Sequence, residues 1–83
     1  MSGRIFIVNY QRGLAIFEDP VGDYGYFEIL GSDNLERDDV IIGNLNSLGG
    51  ETIIKGSTGE QIDVFIEDFG MSLQGALCQV FGN

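Results

Sequence analysis

Carboxylates are the only abundant ionisable groups in this sequence. Thirteen Asp and Glu face four Lys and Arg, His is absent, and the net charge is −9 at pH 7. Side-chain oxygens crowd together in three places: the run Asp33, Asn34, Glu36, Asp38 and Asp39, and the pairs Glu18-Asp19 and Glu67-Asp68. Oxygen-rich runs of that kind are what hard cations take as ligands, but this one lacks the spacing, the Gly and the closing Glu of an EF-hand loop. A solvated acidic loop is the expected state, with weak Ca²⁺ or Mg²⁺ binding as the alternative. The two pairs would need a cleft to work as acid and base, and nothing in the sequence supplies one. No metal and no cofactor is expected.

The remaining reactive types add little. Cys78 is the single cysteine, so no intramolecular disulfide can form. It sits in an apolar run without a His to act as base, which predicts a small buried hydrophobe rather than a nucleophile. Gly56-Ser57-Thr58-Gly59 lacks the Gly-Lys-Ser/Thr ending of a phosphate loop and precedes a strand pattern, so it predicts a hairpin turn. Asp68-Phe69-Gly70 has none of the companion motifs that give such a tripeptide a magnesium role. The expectation is that the chain is not an enzyme.

The elements that must position these groups read as β-structure. A chain of 83 residues makes one domain with a small core. Its 43% apolar content suffices for that core and argues against disorder. Strands are expected at residues 3–10, 14–18, 24–30, 40–45, 51–55 and 61–67, with turns at Gln11-Arg12-Gly13 and Asp19-Pro20-Val21-Gly22-Asp23. In the first, Ile5 and Ile7 are assigned to one side and Phe6 and Val8 to the other, by simple alternation. Gly25 inside the third predicts a bulge or sharp bend. Leu73, Leu77, Val80 and Phe81 form a helical stripe, with Ser72 as N-cap and Gly82 as stop; a final strand is the competing reading. A helix this short must pack on the sheet to be stable.

Three segments resemble a cold-shock domain, a five-stranded OB-fold barrel. Ile7-Val8-Asn9 followed by Arg12-Gly13-Leu14-Ala15-Ile16-Phe17 falls where that family has Trp-Phe-Asn and then Lys-Gly-aromatic-Gly-Phe-Ile. Gly25-Tyr26-Phe27-Glu28-Ile29 stands for its Val-Phe-Val-His-Phe, and Leu35-Glu36-Arg37-Asp38-Asp39-Val40 for its lead-in to strand four. The resemblance covers residues 3–55 and leaves 61–83 as an added strand and helix on a single domain spanning 1–83. It implies an all-β, OB-like, partly open barrel of five or six antiparallel strands with a short C-terminal helix. It also implies binding of single-stranded nucleic acid by base stacking, each stacked base contributing about 1–3 kcal/mol. The stacking positions here are the aliphatic Ile7, Leu14 and Ile16, the family His is Glu28, and only Tyr26 keeps a ring.

Two functional expectations follow. The first is a non-catalytic interaction module, binding a protein or a second copy of itself through an aliphatic face of Ile7, Leu14, Ile16 and Tyr26. Such a patch is seldom left wet, so either the C-terminal stripe or another chain should cover it. The second is a divergent cold-shock-like binder of single-stranded RNA or DNA through Tyr10, Arg12, Tyr24 and Tyr26. The negative field opposes phosphate, which ranks this reading below the first. Met1-Ser2-Gly3-Arg4 leads straight into a strand, and no apolar run is long enough to span a membrane. A cytoplasmic protein with no membrane partner is expected.

Overall fold

The computed structural model describes residues 1–32 and 34–82; Asp33, part of the acidic run, lies outside the described residues. Six strands and one helix follow in order: β1 (Ser2–Asn9), β2 (Leu14–Glu18), β3 (Tyr24–Ile29), β4 (Val40–Ile42), β5 (Gly49–Lys55), β6 (Gln61–Met71) and α1 (Leu73–Phe81). Around the sheet the order is β1-β2-β3-β6-β5-β4, and every neighbouring pair is antiparallel. Pairing of β4 with β1, at Ser2 with Ile42 and Arg4 with Val40, closes the barrel. The fold is therefore a small all-β barrel with a short C-terminal helix, closed rather than partly open.

The closed barrel has a continuous core. Ile5, Phe17, Phe27, Ile41, Ile53 and Ile62 are shielded from solvent, and Phe17 stacks on Phe27 with ring centroids 5.9 Å apart. Leu35 and Leu45 belong to this core although neither lies in a strand. The expected fourth strand ran to Leu45; the ladder stops at Ile42, and the chain folds Leu45 inward from a turn. The fifth strand begins two residues earlier than expected, at Gly49, and the sixth continues through Asp68, Phe69 and Gly70 to Met71.

Two departures from regular pairing curve the sheet. At Gly25 the β3–β6 register shifts, as an interior glycine predicts. A Cβ there would lie 2.5 Å from the Phe17 ring and 2.6 Å from the Asp68 carbonyl oxygen, so only glycine lets the strands approach. The second shift lies in β1, where Ile5 pairs with Phe17 but Ile7 pairs with Ile16. It overturns the alternation expected for this strand: Ile5 and Val8 both enter the barrel core, while Phe6 and Ile7 both face outward. The backbone beside this bulge bonds to the 36–39 turn, with Ile5 N–H donating to Asp39 O and Asp38 N–H to Ile5 O, both at 2.8 Å.

Candidate functional site

The outer face of β1, β2 and β3 is a second hydrophobic cluster, and α1 lies on it. Leu14 and Ile16 come from β2, Phe6 and Ile7 from the bulged part of β1, and Tyr24 and Tyr26 from β3. Their shared side follows from cross-strand pairing, Ile7 with Ile16 and Ile16 with Tyr26. Onto them α1 presents Ala76 and Val80, both fully buried, with Leu77 beside them. Ile16 at the centre is 0% exposed. The four residues expected to form an aliphatic face are thus brought together, and the C-terminal segment covers them.

The stripe on α1 is rotated from the expected one. Its buried positions are Ala76 and Val80, whereas Phe81 is 46% exposed. Cys78 is exposed as well, contrary to its expected burial. Both differences have one cause: the helix turns Ala76 and Val80 to the sheet with Leu77 alongside, so Cys78 and Phe81 point elsewhere. Ser72 is the N-cap, its Oγ accepting from Gly75 N–H at 3.1 Å, and Gly82 ends the helix at φ 90°.

Polar groups of β1 and the first hairpin fasten the far end of α1. Asn9 Nδ2 donates to Val80 O at 2.8 Å, and Arg12 donates to Val80 O at 2.9 Å and to Gln79 O at 3.1 Å. The last carbonyls of a helix have no internal partner and carry partial negative charge. No basic residue of α1 stands in its last turn, so Arg12 supplies the complementary cation from outside. Arg12, expected on a nucleic-acid surface, and Asn9 thus hold the helix end; a donor that reaches 71 residues along the chain leaves no local signal.

The aromatic residues assigned to nucleic acid divide. Tyr24 packs edge-on to Phe6, with centroids 5.8 Å apart, and Arg37 stands over the same Phe6 ring at 5.1 Å. Tyr26 is half-buried beside α1. Burial pushes its phenol above the ordinary value near 10, and Glu67 and Asp68 push it further while Arg12 opposes them. Tyr10 stays 66% exposed and donates its hydroxyl to Leu35 O at 2.8 Å. Glu28 is exposed on β3, opposite Phe65.

The acidic groupings serve as local braces. Asp39 pairs with Lys55 at 3.7 Å and accepts from Glu36 N–H at 2.8 Å, while Lys55 also donates to Asn34 O. Asp19 Oδ1 accepts from the amides of Val21 and Asp23 and so shapes the second turn. Asp68 Oδ1 accepts from Phe69 N–H. Gly56 to Gly59 form the β5–β6 turn, closed by Gly59 N–H to Lys55 O at 2.8 Å. Among the described residues, no three His, Cys, Asp or Glu gather where they could hold a metal ion, and no helix is long and apolar enough to cross a membrane.

Fold and face together define a class: small closed antiparallel barrels with a helix seated on the outer sheet, an architecture consistent with an OB-like fold. No protein-family model matches the chain, and no curated protein or solved structure matches it.

Proposed function

We propose that this chain is a non-catalytic interaction module whose Ile7, Leu14, Ile16 and Tyr26 face receives an amphipathic helical segment of a protein. One observation supports this most directly: the face already holds such a helix, α1, with Asn9 and Arg12 gripping its terminal carbonyls. In the closed chain α1 fills the site in cis. A partner protein, or α1 of a second copy, fills it in trans. A cytoplasmic setting belongs to the same reading.

The test uses the full chain carrying Val80→Ala, which loosens α1, and a labelled peptide of sequence 72–82. Fluorescence anisotropy should show tighter peptide binding to the variant than to the parent, and light scattering should show a dimer fraction that grows with concentration. A variant that stays folded and monomeric and ignores the peptide would refute the proposal.

A second reading is a divergent cold-shock-like binder of single-stranded RNA or DNA. It is favoured by the placement of Arg12, Tyr24 and Tyr26 around the same outer face and by the exposure of Tyr10. Salt-sensitive binding of labelled oligonucleotides that is lost in Tyr26→Ala would put this reading first.

A further inference from the structure

A second patch, beside the face under α1, lies on the outer side of β3, β6 and β5. Phe65 is 43% exposed at its centre. Pairing sets Glu28 of β3 on one side of this ring and Gly50 of β5 on the other. Leu30, 54% exposed, lies two residues beyond Glu28 and donates its amide to Asp63 O at 3.0 Å. Alternate residues of a strand share a side, so Asp63 and Glu67 flank Phe65 along β6. Shallow depressions border the row: one of about 300 Å³ includes Leu30, Gly50 and Asp63, and one of about 360 Å³ joins Glu28 and Glu67 to Arg12, Leu14, Tyr26 and Gln79 at the edge of the α1 face.

The apolar centre and its rim carry opposite instructions for a partner. Phe65 and Leu30 favour contact with hydrocarbon, while Glu28, Asp63 and Glu67 demand positive charge. The chain's own cations are engaged by other groups. Arg12 holds the α1 carbonyls, Arg37 covers Phe6, Lys55 pairs with Asp39, and Arg4 lies on β1 across from Glu18 and Val40. Among the described residues no ion pair involves Glu28, Asp63 or Glu67.

We propose that this face docks a basic segment of another protein, with an Arg or Lys stem lying on Phe65 and Leu30 and its charged head among Glu28, Asp63 and Glu67. Long cationic side chains satisfy both demands at once, because the stem is apolar and the head is attracted to carboxylates and to an aromatic face. The surrounding charge also raises the encounter rate with a basic partner. Phosphate backbones are repelled, and a second copy brings its own −9 against −9. The inference does not rest on the helix-binding reading, since Phe65 and Leu30 are exposed and lie outside the cluster under α1.

The probe is a labelled peptide of alternating Arg and Leu, titrated into the full chain at low salt by anisotropy and amide NMR. Amide shifts should concentrate at Glu28, Leu30, Gly50 and Phe65, and Phe65→Ala should weaken binding by about threefold to tenfold. Gly50→Leu carries the same test without removing a packed group: an added Cβ meets open space, and the side chain fills the notch beside Phe65. It should weaken binding by a similar factor. Glu28→Gln should weaken binding more than Glu18→Gln, which removes the same charge elsewhere. Equal losses in those two variants, or absence of binding, would overturn the proposal. So would shifts at Ile7, Ile16 and Val80, which mark displacement of α1, or self-association or oligonucleotide binding through Phe65.

Discussion

The barrel interior and the cluster beneath α1 are made of the same aliphatic and aromatic residues, but they are closed differently. The interior is enclosed by six strands whose backbone ladders run round the barrel, so each buried side chain is held from several directions. The outer cluster is enclosed by a nine-residue helix that packs on β2 and β3. A helix of that length is marginal alone. Its order therefore depends on Ala76 and Val80 meeting the sheet and on the grip of Asn9 and Arg12. One hydrophobic region is intrinsic to the sheet, and the other exists only while a helix occupies it.

Substitutions in the two regions test this contrast. The largest loss should follow Phe27→Ala in the barrel core, about 3–5 kcal/mol as for other buried Phe truncations; urea melts should show the whole chain unfolding at lower denaturant. Val80→Ala should cost about 2 kcal/mol from lost methyl burial and the cavity left behind. Its distinctive result is local: hydrogen exchange should accelerate through α1 while β2, β3 and β6 stay protected. Simultaneous loss of protection in helix and barrel would abolish the distinction between the two regions. Ser72→Ala removes the N-cap and should cost about 1 kcal/mol, again read first in α1 amides.

The smallest effect is a pH dependence. Because the Tyr26 phenol titrates above its ordinary value in the folded chain, the folded state holds this proton more tightly than the unfolded state does. The contribution is intact below about pH 10 and is lost as pH rises towards the higher folded value. Melting temperatures between pH 8 and 11 should therefore decline less steeply in Tyr26→Phe than in the parent. An identical slope in both would mean that the phenol's surroundings under α1 differ from those described.

Much of the barrel was legible because its signals are local. Leu14–Glu18 is bounded by turn residues on both sides, and the strand has those limits. Ser72 and Gly82 frame the tail as helix caps, and the tail is a helix. The aliphatic character of Ile7, Leu14, Ile16 and the ring of Tyr26 was visible as a patch needing a cover. The inward turn of Leu35, the outward turn of Cys78 and the bonds from Asn9 and Arg12 to α1 were not visible. Each depends on which residue lies opposite after closure, and no local pattern encodes that.

The sequence by itself determined the all-β class, the turns, the strongly acidic composition and a capped C-terminal stripe that fits a short helix. These follow from residue type and from periods of two and 3.6. The tertiary structure alone decided that the barrel closes through β1 and β4, and that a bulge sends Phe6 and Ile7 to the same outer side. It also decided that α1, fastened by Asn9 and Arg12, is what lies on Ile16. The physical reason is that a one-residue slip in pairing moves side chains to the opposite face of a sheet. Which face is left for a ligand is therefore set by register and docking, not by the residues of any one strand.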